Sequence, residues 1–149
     1  MIDTTVYLQD VRQTANEMAR IVKEYWRDLG EWLDVPLLQF YVFVCSLPYV
    51  PDPVGVETVS RPAYTLKPDY RPRDCDDKSV LIAAWLEGHG IKKRFVSTSC
   101  RPDKRLTHVF VQMENGLFLD STYPKYKNLC GNYPYFPRIT KIEPLTGLF

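Results

Sequence analysis

Apolar residues at Val11, Ala15, Met18, Ala19, Val22, Trp26, Leu29 and Leu33 recur close to every 3.6 residues, with Arg12, Glu17, Arg20, Lys23 and Arg27 between them. That period predicts one amphipathic helix from Thr4 to Leu33. Gly30, near its end, is the natural place for a kink or a break into two shorter helices. A second apolar run, Pro36 to Val44, suits a helix with proline in its first turn, where the missing N–H costs nothing. The pattern then stops. Six prolines between Leu47 and Arg73 argue against a regular element across that stretch. Its Tyr49, Val50, Val54, Val56, Tyr64 and Leu66 still make it apolar enough to pack on a core, and long ordered connections are often functional.

Periodicity resumes at Asp74, which is placed to cap a helix from Cys75 to Gly88. Asp76 and Asp77 fall in its first turn, where negative charge suits the helix dipole, and Val80 to Leu86 is apolar enough to be buried. Gly88 and Gly90 end it. Ile91 to Ser99 alternates like a strand, and Arg101 to Lys104 reads as a turn. Leu106 to Met113 is a second strand, with His108, Phe110 and Gln112 on one face and Val109, Val111 and Met113 on the other. Glu114-Asn115-Gly116 is a hairpin turn leading into a strand from Leu117 to Asp120. Tyr123 to Pro137, rich in Tyr and Pro, reads as an irregular lid or packed coil, and Arg138 to Ile142 as an edge strand. The fold class is therefore α+β: N-terminal helices and a further helix packed on an antiparallel sheet. The 149 residues suit a single domain, with a helical part at 1–46, a Pro-rich connection at 47–73 and a core at 74–149.

Composition narrows the function classes. Hydrophobic residues make up 45% and charged residues 25%, which is the globular range. Nineteen basic residues against eighteen acidic ones give a net charge of +1, so no electrostatic footprint for nucleic acid is expected. Lys92, Lys93 and Arg94 cluster at the head of a strand and read as a solvated strand end. No apolar run reaches the roughly 18 residues that cross a membrane, so no membrane partner is expected. The first residues carry no signal-peptide pattern, so a cytoplasmic location with reduced thiols is the expectation. Cys45, Cys75, Cys100 and Cys130 form no Cys-x-x-Cys pair, which argues against a zinc ribbon. Cys45 reads as a small core hydrophobe, His89 as a helix-end residue, and Trp26, Trp32 and Trp85 as packing residues.

The chemistry lies in an order of parts: a cysteine that opens a buried helix, a histidine inside a strand, and an aspartate that ends the next strand. Cys75 at a helix N-terminus is close to unpaired N–H groups that lower a thiol pKa and stabilise an oxyanion on the carbon under attack. His108 is the candidate base and Asp120 the residue that orients it. The two lie at unequal distances from Asn115-Gly116, so direct pairing requires a bulge or an offset register. Asp74, Asp76 and Asp77 around Cys75 act the other way, because negative charge raises a thiol pKa. A metal site built from Cys75, His108, Asp120 and Cys100 is a third-ranked alternative, and neither metal nor cofactor is called for by the spacing.

Arg73-Asp-Cys75-Asp-Asp-Lys-Ser-Val-Leu-Ile-Ala-Ala-Trp85 resembles the nucleophile helix of bacterial and phage-encoded transglutaminase-like proteins. Thr107-His108-Val-Phe-Val-Gln and Leu117-Phe-Leu-Asp120-Ser-Thr resemble their histidine and aspartate strands, and the likeness runs from Tyr49 to Thr122. The resemblance implies a papain-like core, Cys75, His108 and Asp120 as catalytic residues, and hydrolysis or transfer of amide or peptide bonds through a thioester on a peptide or protein substrate. Arg73 and Asp76 depart from the family pattern of a small residue before the Asp-Cys pair and an aromatic after it. Tyr49, Tyr64 and Asp74 are the candidates for the oxyanion site or substrate cleft. The alternative is a catalytically silent binding or structural module on the same fold, such as a phage-particle component, with an assembly partner and a place in the virion.

Overall fold

The computed structural model describes residues 4–6, 11–53, 57–68, 73–99, 108–122 and 141–149. The expected helix from Thr4 is replaced at its start by a strand, β1 (Thr4–Val6). Two threonines and a valine, all β-branched, favour the extended backbone, and β1 pairs antiparallel with β2 (Glu57–Val59). Helix α1 runs only from Val11 to Tyr25 and buries Ala15, Met18, Ile21 and Val22. A 3₁₀ segment, Trp26–Asp34, follows. It is interrupted at Gly30, whose φ of +56° an L side chain rarely adopts. Pro36 stands at the N-cap of α2 (Leu37–Ser46), one position ahead of the first turn. That helix buries Phe40, Tyr41 and Val44.

The Pro-rich connection is more regular than its proline content predicts. Besides β2 it holds a short helix, α3 (Pro62–Thr65), with Pro62 in its first turn. Arg61 pairs with Asp28 through two bonds of 2.7 and 2.8 Å, and Asp28 also accepts from Ala63 N–H, which ties α3 to the 3₁₀ segment. Val50 and Arg73 exchange two backbone hydrogen bonds, 3.1 and 2.7 Å long, so the connection returns to its own start just before Asp74. The described prolines of the connection, Pro48, Pro51, Pro53, Pro62 and Pro68, sit where no ladder N–H is needed, which is why the elements between them survive.

Helix α4 (Cys75–Gly88) is the centre of the fold. Every residue from Asp76 to Leu86 is buried, as expected of a helix with apolar or small residues on all sides. It contacts α1, the 3₁₀ segment, α2 and α3, and also β3 (Lys93–Ser99) and β4 (His108–Met113). The sheet is completed by β5 (Phe118–Leu119) and β6 (Lys141–Pro144), in the order β5-β4-β3-β6 with every pair antiparallel. The turn at Glu114-Asn115-Gly116 joins β4 to β5, with Gly116 at φ +94°. Val109, Val111 and Leu119 pack under α4 with Phe95 and Leu145. Helices on a central helix, itself on an antiparallel sheet, make an α+β architecture. No helix among the described residues is long and apolar enough to cross a membrane.

One surface expectation is corrected. Lys93 is not a solvated strand end: it is 1% exposed, ion-paired to Glu87, with its ammonium 4.3 Å from the Phe149 ring centroid. The last residues return along β3 and pair Phe149 with Lys93 through both backbone groups, closing over the side chain. The three tryptophans pack as expected, Trp32 stacked on Phe43 and Trp85 Nε1 donating to Val35 O. His89 ends α4, stacks on Trp85 and bonds Leu33 O through Nε2. The expected turn at 101–104, Leu106, the Tyr/Pro tract at 123–137, the start of the edge strand at 138–140, Cys100 and Cys130 lie outside the described residues.

Gly88 allows the 3₁₀ segment to approach α4 closely. An added Cβ would lie 2.7 Å from Leu33 Cδ2 and 3.0 Å from the Trp26 ring. Gly88→Ala is expected to destabilise the protein by about 1–3 kcal/mol, through overpacking that outweighs the better helix propensity of alanine. Urea denaturation followed by tryptophan fluorescence checks it, with an unchanged midpoint as the contrary result.

Candidate active site

Each part of the site is positioned by a local rule. Asp74 is the N-cap of α4: its Oδ1 accepts from Asp76 N–H (3.0 Å) and Asp77 N–H (3.3 Å), and Asp77 Oδ2 accepts from Asp74 N–H (3.2 Å). This reciprocal capping box fixes where the helix begins and puts Cys75 on its first residue. Asp77 Oδ1 also accepts from Ser60 N–H, joining the connection to the helix start. Asp74 is thus a structural cap, and it consumes two of the N–H groups expected to serve an oxyanion. The N–H of Cys75 itself has no acceptor among the described residues.

The register of the sheet explains how Cys75 reaches β4. Val111 pairs with Leu119 and Gln112 with Phe118, so β5 covers β4 only at that end. On the other side, Lys93 and Phe95 bond the C-terminal residues, so alternation turns His108 and Phe110 backbone groups toward β3 and those of Val109 outward. No strand residue takes the outward groups of Val109. Ser79 Oγ donates to Val109 O (3.2 Å), and the Cys75 thiol donates to Asp76 Oδ1 (3.9 Å). Cys75 and Ser79 are four residues apart, on one face of α4. The first turns of α4 therefore dock where β5 stops, through the Ser79–Val109 bond.

His108 and Asp120 meet without a bulge. Continuing the register places Asp120 opposite Phe110, so it is the diagonal neighbour of His108 on the same face. His108 Nε2 lies 2.7 Å from Asp120 Oδ2, with both residues buried. Asp120 is held from two further directions: Oδ1 accepts from Thr122 N–H (3.0 Å), and its backbone carbonyl accepts from the buried Tyr41 hydroxyl (2.6 Å). The imidazole stacks on Phe110, and Ser97 Oγ donates to His108 O. Thr98, directly opposite His108, buries a hydroxyl that has no partner among the described residues.

The other sequence candidates are spread around this centre. Tyr49 is exposed beside the Val50–Arg73 bridge. Tyr64 is buried in α3 with the Lys67 ammonium over its ring. Arg73 turns away from the thiol, its guanidinium donating to Thr65 O and Lys67 O. Cys45 is half-buried near the end of α2, so it is less a core residue than the sequence suggested, and burial pushes its thiol up.

What the sequence did not disclose is the extent of the carboxylate cluster. Carboxylate oxygens of Asp52, Glu57 and Asp74 lie within 4.8 Å of one another, brought together from the connection, β2 and the helix cap. Three hard oxygen donors of this kind suit a calcium- or magnesium-type cation rather than zinc. The proximity of Asp52 to Asp74 depends on the Val50–Arg73 bridge, which no local pattern announces. Burial, and next Asp52, push Asp74 up to about 7. Burial, then a hydrogen bond with Glu57, then Asp74, raise Asp76 well above the usual carboxyl range. Burial and Asp74 do the same to Asp77, against the Ser60 N–H. The Cys75 thiol is raised well above its ordinary value by burial first, then by Asp76 and Asp74, and the Val109 N–H opposes them. The site thus rests with its sulfur protonated.

No family model matches this chain, and neither a curated protein nor a solved structure matches it.

A raised native pKa means that the folded state holds the Asp74 proton more tightly than the unfolded chain does. Stability from this group is fully present below the unfolded value and is lost as pH rises through about 7. The melting temperature is expected to fall between about pH 4 and about pH 7 on this account. Asp74→Asn keeps a capping oxygen but cannot ionise, so its melting temperature should fall less steeply over the same range. Calorimetry of both proteins across that range checks it, and parallel curves would be the contrary result.

Proposed function

We propose that the protein is a cysteine acyl-transfer or hydrolytic enzyme acting on amide or peptide bonds, with a transglutaminase-like, papain-like core. The observation that carries it is the 2.7 Å bond from His108 Nε2 to Asp120 Oδ2, together with Cys75 on the first residue of α4. With Nε2 engaged by the carboxylate, Nδ1 is the nitrogen that takes the thiol proton. Cys75 attacks the carbonyl carbon of a peptide or protein substrate as its S–H proton passes to His108. The oxyanion is met by the Cys75 N–H at the positive end of α4. The C–N bond then breaks, His108 protonates the leaving amine, and a thioester remains on Cys75. Water or an amine resolves the thioester, giving hydrolysis or transfer, and the thiol is restored.

Burial and the neighbouring carboxylates disfavour a standing thiolate, so His108 removes the proton as attack proceeds rather than beforehand. Those same features favour a second reading, a silent binding or structural module on this fold, such as a phage-particle component. Recovery of the chain in a stable multi-protein assembly, with an unreactive thiol, supports that alternative.

p-Nitrophenyl acetate separates the two, since it reports thioester formation without knowledge of the natural substrate. The expected result is a burst of nitrophenol with one acetyl group mapped to Cys75 by mass spectrometry. Cys75→Ala abolishes it, and His108→Ala slows it by roughly 10²- to 10⁴-fold. A folded protein that takes no acetyl group at Cys75, or a His108→Ala variant that matches the wild type, overturns the enzymatic assignment.

A further inference from the structure

The helix that presents Cys75 and the strand that presents His108 belong to different layers, so their spacing is set by what joins them. Ser79 lies one turn after Cys75 on α4. A serine inside a helix has a partner of its own close by, the carbonyl four residues back, which for Ser79 is that of Cys75. Its hydroxyl instead crosses to β4 and donates to Val109 O (3.2 Å). Val109 is the chain neighbour of His108. The carbonyl before it, that of His108 itself, accepts from Ser97 Oγ of β3 (2.7 Å). Two successive carbonyls of β4 are thus gripped by serines from two different elements.

Both hydroxyls are buried, where a polar group is retained at a cost unless it is bonded. Ser79 precedes the apolar run from Val80 to Leu86, and alanine in its place would have the better helix propensity. Ser97 stands opposite Val109, on the sheet face that packs on α4. The two bonds act on different parts. Ser97 fixes the peptide after His108 within the sheet, where Thr98 already pairs with His108. Ser79 fixes α4 against the sheet, and with it the height of Cys75 above β4. Asp120 reaches the His108 ring at 2.7 Å and takes part in neither bond.

We propose that Ser79 is a positioning residue for the step between Cys75 and His108: its bond to Val109 O pins the nucleophile helix where the thiol meets the base, while Ser97 holds the base. This rests on the acyl-transfer assignment, because the step it serves is transfer of the thiol proton as the acyl carbon is attacked. Misplacing reacting groups by one ångström costs roughly 100-fold in rate.

Full-chain variants in a His89→Gln background test it, since His108 is then the remaining histidine of the chain. Two quantities are read together: acetylation of Cys75 by p-nitrophenyl acetate, and the His108 ring resonances in nuclear magnetic resonance spectra at fixed pH. Ser79→Ala is expected to lower the saturating acetylation rate roughly 10- to 100-fold with an unchanged KM, while the His108 resonances keep their parent positions. Ser97→Ala is expected to move those resonances. Ser79→Thr keeps the hydroxyl and is expected to recover most of the lost rate. Ser79→Cys, near serine in volume and a weaker donor, takes the place of the alanine variant if that does not fold. A loss that comes with displaced His108 resonances marks a general loosening of the core and overturns the proposal, as does a loss of equal size in Ser79→Thr. A parent protein that takes no acetyl group at Cys75 overturns the acyl assignment and this role with it. An acetylated parent whose Ser79→Ala variant reacts at the same rate overturns this role alone.

Discussion

The docking of the first two turns of α4 onto the edge of β4 at Val109 sets the rest of the site. A strand whose neighbour stops early leaves N–H and C=O groups that must find partners, because burying them unpaired costs on the order of 1–3 kcal/mol each. Here β5 ends at Leu119, and Ser79 supplies to Val109 O the partner that the next strand residue would have supplied. Cys75, one turn before Ser79 on the same helix face, is positioned by that contact. His108 follows automatically, since its own position in β4 is set by pairing with Thr98.

Asp120 is constrained just as firmly. Its two carboxylate oxygens and its carbonyl are each taken, by His108, Thr122 and Tyr41. A residue held at three points, two of them on its carboxylate, keeps one rotamer, and it passes that rigidity to the imidazole. The aspartate can orient a base at low entropic cost because α2 and the turn after β5 have already fixed it.

The acidic cap introduces a tension into this arrangement. Asp74 gives α4 a sound start, but together with Asp76, Asp77, Asp52 and Glu57 it crowds negative charge around a thiol. The same residues that place Cys75 at the start of the helix hold its proton on.

The sequence by itself determined the elements whose signals are local. The bounds of α4, its Asp74 cap, the Asn115-Gly116 hairpin and the alternation that puts His108 and Val109 on opposite faces all depend on neighbours within a few residues. The order of cysteine, histidine and aspartate was legible for the same reason. Tertiary structure alone decided the rest. Thr4–Val6 became a strand because Glu57–Val59 lay alongside it, and Lys93 became buried because Glu87 and Phe149 closed over it. His108 and Asp120, unequally spaced from their turn, met through a diagonal contact, and Asp52 reached Asp74 through a bridge spanning the Pro-rich connection. Those contacts join residues far apart in the chain, and their energies depend on burial and on partners that no local window of sequence contains.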